Sequence, residues 1–265
     1  MKRAVLVVAL CGASCGAPLM KLPAGPGAPA PDAVAALTEA TAACRGIRTL
    51  TAEVAASGKV DGQRFRVRLS TGVAEPGSAR VEAIAPFGPP IFILVADNDD
   101  ATTLLLPRDD RVLRQGRSAE VLDAVAGVPM SAADLRLVLT GCASQTPRPE
   151  GVALGADWRM IDEGGGAALY LHRAASAQPW QLVAVVRPPW RVEYRDHLNG
   201  LPRSMRITSV RAEQGAGSFD LTLALSQVET NIALGPEVFK VDVPRAAQPI
   251  TLEELRHARP GVREN

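Results

Sequence analysis

The chain has 265 residues, of which 47% are hydrophobic but only 4% aromatic, so a packed core must be built from Val, Leu, Ile and Ala. This length is enough for one large β domain or two small ones. Its 29 Lys and Arg residues are almost balanced by 28 Asp and Glu residues, which argues against nucleic-acid binding because that function usually requires a clustered basic excess.

Residues 1–15 have the pattern of an export signal. The basic pair Lys2-Arg3 precedes an apolar run that is too short to span a bilayer as a helix. Ala13-Ser14-Cys15 then resembles the lipobox of bacterial lipoproteins, in which the cysteine is lipidated and becomes the new N-terminus. We therefore expect Cys15 to carry a lipid anchor, with ordinary signal cleavage near Ala17 as the alternative.

Residues 16–31 contain five prolines and three glycines with almost no charge. Such a composition cannot pack a core and is typical of a semi-extended tether. We expect one folded domain at residues 32–245 after this tether, and a C-terminal tail at residues 246–265 with a possible short helix. A lipid on Cys15 would hold the domain a short distance from a membrane.

The domain is predicted to be mainly β. It opens with an Ala-rich helix that is capped by Asp32 and ends near Arg45. Short apolar runs separated by turn signals then predict about 10–11 strands in a mostly antiparallel meander. The last of these strands is predicted at residues 238–243.

The strand predicted at residues 59–70 has the two-residue period of a half-buried strand. Its apolar residues alternate with three arginines, Arg64, Arg66 and Arg68. The arginines can form a basic patch, but a solvated strand face that discourages edge pairing is the favoured interpretation.

A proline-rich loop precedes the most apolar strand of the chain. Pro86, Phe87 and Gly88 lie at its tip, where missing N–H donors and a permitted positive φ favour a turn. The strand that follows is apolar on both faces, which a sheet with one solvated side does not need. Phe87 either meets something apolar or folds back onto the core, and the residues alone favour the second alternative.

The sequence period then changes from that of strands to that of helices. Two short helices are predicted at residues 118–126 and, after a Ser131 cap, up to Gly141. Because they are inserted between two runs of strands, they can lie across the open face of a curved sheet and cover it. The apolar faces of these candidate lid helices are formed by Val121, Leu122, Val125, Leu135, Val138 and Leu139.

The sequence contains no recognisable catalytic or metal-binding motif. His172, His197 and His257 have no spacing such as H-E-x-x-H, and no G-x-S-x-G, Walker-type or dinucleotide-binding pattern occurs. We therefore expect a protein that is not an enzyme and that uses no metal and no cofactor. An enzyme stays open only if carboxylates from distant strands converge in space.

Two cysteines, Cys44 and Cys142, remain when the export signal and Cys15 are set aside. They follow the first and third predicted helices, and an exported chain lies in an oxidising compartment. A disulfide between them and two buried free cysteines are both open interpretations.

Three stretches in colinear order resemble the LolB family of outer-membrane lipoprotein receptors, with the LolA carriers as wider relatives. The first resembles that family's Asn-Pro-Leu-Gly loop, the second its Gly-x-Pro segment before a helix ending in Leu-Gly, and the third its late Trp-x-Val-x-Tyr strand. They are Ala85-Pro86-Phe87-Gly88, Gly127-Val128-Pro129-Met130 with Leu139-Thr140-Gly141, and Trp190-Arg191-Val192-Glu193-Tyr194.

The resemblance implies an incomplete, strongly curved antiparallel β-barrel with helices covering its concave hydrophobic face. In that family the cavity holds the acyl chains of lipoproteins, which the receptor takes from a soluble LolA-like carrier and inserts into the outer membrane. Pro86, Phe87 and Gly88 would form the membrane- or cargo-inserting loop. Strands that are apolar on both faces would form the cavity wall, with Ile91, Ile93, Leu94, Val95, Leu182, Val183 and Val185 as candidates.

We accordingly expect a monomer that is lipid-anchored on the periplasmic face of the outer membrane. Its expected partners are acylated lipoproteins or lipids and a LolA-like carrier. The alternative function on the same fold is a periplasmic sensor or assembly accessory that binds a lipid or peptide without transporting it.

Overall fold

The computed structural model describes residues 18–143, 150–210 and 217–258. The export signal and Cys15 lie outside the described residues. Within the described residues the chain forms one sheet of 15 strands and four α-helices.

The helices and strands follow one another in three groups. The first group is β1 (Ala28–Pro29), α1 (Ala33–Ala40), β2 (Thr49–Val60), β3 (Gln63–Ala74), β4 (Ser78–Ile84), β5 (Ile93–Ala96), β6 (Ala101–Leu106) and β7 (Arg111–Arg117). The helices α2 (Ser118–Ala126) and α3 (Ala132–Thr140) come next. The last group is β8 (Glu150–Ala153), β9 (Trp158–Gly164), β10 (Ala167–His172), β11 (Gln181–Arg187), β12 (Trp190–Leu198), β13 (Leu201–Ser209), β14 (Phe219–Thr230), β15 (Gln248–Pro249) and α4 (Leu252–Ala258).

The sheet joins two antiparallel meanders, β2 to β7 and β8 to β14, through the pairing of β14 with β2. Its outermost strands are the two-residue β1 and β15, and β15 is the one strand that pairs in parallel, with β7. These two edge strands do not pair with each other among the described residues, so the sheet is curved but unclosed. The predicted fold class, a mainly β incomplete barrel with helices on its concave face, is confirmed, although the strands are more numerous than expected.

The core lies between the concave face of the sheet and the helices. The two-residue period places Leu50, Val54 and Val60 of β2 on this face, where they are buried. Helix α1 packs on β8 to β11, and α3 packs on β3, β4 and β13. Helix α2 packs on β6, β7 and α4. The helices therefore divide the concave face between them, and one apolar core runs beneath all three.

The first helix is shorter than predicted, because it ends at Ala40 and not near Arg45. The Thr41 hydroxyl donates to the carbonyl of Leu37 at 2.7 Å, and tight backbone turns follow, including that from Cys44 N–H to the Thr41 carbonyl at 3.2 Å. This turn brings Cys44 into the core next to the end of α3.

Asp32 acts through an ion pair and not as a side-chain cap of α1. Its two carboxylate oxygens accept from Nε and Nη2 of Arg159 in β9, both at 2.8 Å. The Arg159 guanidinium holds the pKa of the Asp32 carboxyl below its usual value. This contribution to stability is therefore present at neutral pH and is lost as the pH falls through the lowered pKa.

The strand predicted at residues 238–243 is not a strand. This part of the chain crosses the convex face of the sheet, where Arg80 of β4 donates to the carbonyls of Val238 and Lys240, both at 2.9 Å. The strands β2 to β6 are each paired on both sides, so residues 238–243 cannot insert among them.

Pro18 and Met20 belong to the segment predicted to be a semi-extended tether, but they contact the sheet. The contact is centred on the buried carboxylate of Glu193 in β12. The backbone N–H of Met20 donates to both carboxylate oxygens of Glu193, at 2.9 and 3.0 Å. Arg191 and Arg195 form ion pairs with the same carboxylate, and they also donate to the carbonyls of Met20 and Pro18. Because Glu193 is 0% exposed, three donor groups compensate for its removal from water.

Glu193→Gln should therefore destabilise the protein and release the N-terminal segment. The loss of the carboxylate leaves two partly buried guanidinium groups without their partner, which we expect to lower the free energy of unfolding by about 2–4 kcal/mol. The measurements are urea unfolding and the rate of trypsin cleavage after the exposed Lys21.

The matched control is Glu254→Gln, since Glu254 also pairs with an arginine, Arg111, but its side chain is 54% exposed. Because this pair is exposed to solvent, its loss should change the stability far less than the loss of the Glu193 carboxylate. Equal effects of the two substitutions would contradict the role of Glu193 as the buried attachment point.

Candidate functional site

The candidate site is the concave face of the half-barrel together with the helices that cover it. The structure divides the seven predicted wall residues between the two faces of the sheet. Leu94, Leu182 and Val185 are buried in the concave core, and Ile91 is half-buried against it. These four residues are therefore the part of the predicted wall that lies in or against the concave core.

The other three predicted wall residues are not part of this concave core. Ile93 lies opposite Glu82, and Val95 lies opposite Arg80, whose side chain binds the segment on the convex face. Directly opposite residues share a face of the sheet, so Ile93 and Val95 belong to the convex side. Val183 is displaced by an irregularity in the pairing of β10 with β11.

The two lid helices are closed over the sheet in this structure. Val121, Val125, Val138 and Leu139 are fully buried, and the remaining two predicted lid residues, Leu122 and Leu135, are half-buried against the same core. All six predicted residues therefore belong to the core or pack against it.

The starts of the two lid helices are linked by one side chain. The Ser118 hydroxyl accepts from the backbone N–H of Ala132 at 2.9 Å, and it also donates to Asp100 in the β5–β6 turn. Ser131 and Asp134 form a reciprocal capping box at the start of α3. Both helices end at glycines in the left-handed conformation, Gly127 and Gly141.

Helix α3 is held at its C-terminal end by two further contacts. The hydroxyl of Tyr194 in β12 donates to the carbonyl of Leu137 at 3.1 Å, and full burial raises the pKa of this hydroxyl above its usual value. Cys142, just after α3, is joined to Cys44 by a disulfide whose Cα atoms are 5.5 Å apart. Helix α2 has no covalent link of this kind, so it is the less restrained of the two lids.

Phe87 is the most exposed large hydrophobic residue among the described residues, at 90%. The base of its loop is closed by backbone hydrogen bonds between Ala83 and both Phe92 and Ile91, at 3.0 and 2.9 Å. Arg108 donates to the carbonyls of Phe87 and Pro89 at 3.1 and 3.3 Å. The aromatic ring that returns to the core is that of Phe92 and not that of Phe87.

A cavity of about 330 Å³ lies beside the disulfide, where the turn after α1 meets the end of α3 and the β12–β13 turn. Cys44, Trp180, Leu182 and His197 are among its lining residues. Burial lowers the pKa of His197, opposed by the nearby Asp196. Sequence reasoning did not find this cavity, because its walls come from segments far apart in the chain.

The described residues contain no helix long and apolar enough to cross a bilayer. They also contain no group of three or more His, Cys, Asp or Glu side chains that could hold a metal ion.

No family model and no curated protein matches this chain. Among solved structures, a LolA superfamily protein from Nitrosomonas europaea is similar with a TM-score of 0.48 and 10% identity, covering 79% of this chain and 97% of that chain. A protein described as an outer membrane lipoprotein-sorting domain, from Vibrio parahaemolyticus, has a TM-score of 0.45 and 15% identity, covering 78% of this chain and 97% of its own.

A DUF1329 family protein from Desulfovibrio piger is similar to the same degree, with a TM-score of 0.45 and 11% identity over 78% of this chain and 97% of that chain. Since all three TM-scores are below 0.5, these likenesses do not by themselves assign a function to this chain.

Replacing both Cys44 and Cys142 by Ala should lower the free energy of unfolding by about 2–4 kcal/mol under oxidising conditions, because a link across a long loop restricts the unfolded chain. Urea unfolding measures this loss, and hydrogen exchange should show faster opening of α3. Wild-type protein in reductant is the control and should lose a similar amount. Equal stability of the oxidised wild type and the double variant would show that the disulfide does not restrain the lids.

Proposed function

We propose that this chain is an envelope lipoprotein that binds the acyl chains of lipoproteins or lipids on the concave face of its half-barrel and helps to insert them into the outer membrane. It takes its cargo from a LolA-like periplasmic carrier and acts as a monomer. Lipidation of Cys15 anchors it to the periplasmic face of the outer membrane. No covalent chemistry and no cofactor is required.

The observation that carries this proposal is an apolar concave sheet that is covered only by short helices, with α2 lying over β6 and β7 and packed in turn against α4. Helix α2 has nine residues and buries only Val121, Ala124 and Val125 among its apolar side chains. Full burial of one such aliphatic side chain contributes about 1.5–3 kcal/mol. Displacing α2 costs these contributions together with those of the half-buried Leu122 and of the packing against α4.

An acyl chain can replace those contacts. Burial of about 15 methylene groups at about 0.8 kcal/mol each gives roughly 12 kcal/mol before the costs of ordering and desolvation. This gross gain is of the same order as what α2 loses, so an acyl chain can open the lid by occupying the face that the helix leaves. Hydrophobic contact alone is then sufficient to drive transfer.

Helix α2 contacts α4 more extensively than it contacts either β6 or β7, so movement of the lid requires α4 to move with α2 or to release it. The ion pair between the two helices, Asp123 with Arg256 at 3.9 Å, is solvent-exposed and contributes little. The N-terminus of α2 is held through Ser118, whereas its C-terminus ends at Gly127. A rotation of α2 about Ser118 would uncover β6 and β7 and leave α3 in place.

The Phe87 loop supports a membrane-inserting role. A proline-rich turn held by Arg108 presents the ring to solvent without a long flexible segment, so little conformational entropy is lost when the ring enters an apolar phase. Burial of a Phe side chain contributes about 1.5–3 kcal/mol. This contribution is enough to favour orientations of the protein in which the Phe87 loop points towards the bilayer.

Leu122→Ala should accelerate the uptake of acyl chains. The half-buried Leu122 stabilises the closed lid, and its truncation should cost the closed state about 1–2 kcal/mol. We therefore expect about ten-fold faster uptake of a fluorescent long-chain acyl probe, measured by stopped-flow mixing. Val34→Ala is the control, because Val34 is an exposed residue of α1. An unchanged uptake rate in a Leu122→Ala protein of reduced stability would contradict the lid role of α2.

Phe87→Glu should reduce delivery of an acylated lipoprotein into vesicles by about ten-fold or more, since it replaces a favourable apolar contact by a charge. Uptake of cargo from the carrier should be unchanged. Leu198→Glu is the matched control, because Leu198 is also an exposed apolar residue next to a turn. Delivery by the Phe87→Glu protein at the wild-type rate would remove Phe87 from the mechanism.

Rescue of lipoprotein sorting in cells depleted of their own receptor separates transport from sensing. A transporter rescues sorting, whereas a lipid- or peptide-binding sensor on the same fold does not.

A further inference from the structure

Four basic residues share the convex face of β2 and β3. In the register of this hairpin Lys59 lies opposite Arg64, Ser57 opposite Arg66 and Ala55 opposite Arg68. Opposite residues share a face, so the four cations Lys59, Arg64, Arg66 and Arg68 form one group, here named the cationic row. All four are exposed, and neighbours on β3 along the row are about 7 Å apart.

The three arginines of the row have no carboxylate partner within the described residues. Arg64, Arg66 and Arg68 form no hydrogen bond or ion pair there. Asp220 of β14 lies opposite Lys59, but its carboxylate is taken by Arg206 at 2.7 and 2.6 Å.

The nearest carboxylates on β2 and β4 lie beyond Arg68, at one end of the cationic row. Glu53 and Glu82 both lie opposite Ser70, two residues beyond Arg68, and Glu82 is paired with Arg80. The row is therefore a local excess of positive charge in a chain whose net charge is only +1.

The cationic row is continuous with an exposed apolar surface. Ile84 lies opposite Arg68 on the same face and is 40% exposed. Strand β4 ends at Ile84, whereas β3 extends past it to Gln63. The loop that carries Phe87 therefore leaves the sheet at the end where Arg64 and Arg66 lie.

We propose that the cationic row binds the phosphate groups of an anionic phospholipid surface and so orients the protein with Phe87 directed into the bilayer. Guanidinium groups suit this occupant, because they stay charged and bind phosphate oxygens through paired N–H donors. A flat row of cations beside an apolar tip matches an interface whose headgroups are anionic and whose interior is apolar. The sequence pattern alone had favoured a solvated strand face.

This membrane contact does not require an acyl chain in the concave face. It involves the opposite face of the sheet and would act before cargo is released. Each cation close to an anionic surface raises partitioning about five-fold. Removing the three arginines should therefore weaken membrane binding by about a hundred-fold.

The test is vesicle co-sedimentation of the full chain carrying Cys15→Ser, so that no acyl anchor contributes. Vesicles of phosphatidylcholine alone are compared with vesicles that also contain phosphatidylglycerol. The triple variant Arg64→Gln, Arg66→Gln, Arg68→Gln should lose about a hundred-fold in binding to the anionic vesicles. The charge-matched control is Arg45→Gln, Arg48→Gln, Arg117→Gln, at three exposed arginines elsewhere, and it should bind within about three-fold of the parent.

Three results would overturn the proposal. The first is equal binding by the two triple variants. The second is the absence of any preference for anionic vesicles, which would point to an acidic protein as the partner of the row. The third is competition by inorganic phosphate at the same phosphorus concentration, which would indicate a site for free phosphate.

Uptake of the acyl probe by the arginine triple variant should remain at the rate of the parent, and its thermal unfolding should be unchanged. The two proposals are therefore tested separately. A negative result for membrane binding would not contradict acyl binding, and a negative result for acyl binding would not contradict membrane binding.

Discussion

The pairing of β14 with β2 is the contact on which the rest of the structure depends. It joins a strand from early in the chain to a strand from late in the chain, with Phe219 opposite Val60 and Thr230 opposite Leu50. This pairing combines the two meanders into one sheet. The sheet curves but does not close, so its concave apolar face has no second sheet to cover it. The three helices α1, α2 and α3 cover this face instead, and the hydrophobic effect alone requires some such cover. A fold whose core is partly covered by short helices is one in which a ligand can compete with the cover.

Helix α3 is restrained by a covalent link that α2 lacks, so we expect α2 to be the helix that moves when the concave face opens. Helix α3 is held by a capping box, by the Tyr194 hydroxyl and by the disulfide after its last turn. Helix α2 is held by Ser118, by its buried apolar side chains and by packing against α4, without a covalent link. Elements that move for function are drawn from the less restrained parts of a fold. On the convex face two irregular segments are attached to the sheet. The N-terminal segment is attached through Glu193, and residues 238–240 are attached through Arg80. The cationic row lies between these attachments, at the end of the sheet that carries Phe87.

Sequence periodicity was sufficient to predict most of the elements. Helix α2 lies at the predicted residues, and α3 begins after the predicted Ser131 cap and ends before Gly141. The alternation in β3 places Phe65 and Val67 inside and the arginines outside, as the period of two requires. Elements that the sequence did not reveal are the short ones, β1, β8 and β15, whose pairing depends on partners far along the chain. Residues 238–243 have the composition of a strand, yet the strands β2 to β6 are already paired on both sides, and the segment crosses the convex face instead.

By itself the sequence determined that the chain is mainly β, where its turns and lid helices lie, and which residues alternate between two environments. These properties follow from local sterics, turn chemistry and the periods of 2 and 3.6. Only the tertiary structure decided what each face of a strand meets. It separated Leu94 from Ile93 and Val95, exposed Phe87 while burying Phe92, and placed Glu193 under the N-terminal segment. The physical reason is that a two-residue period in the sequence shows that a strand has two different faces. It does not show which distant segment of the chain covers each face. That choice is made by contacts between residues that are far apart in the chain.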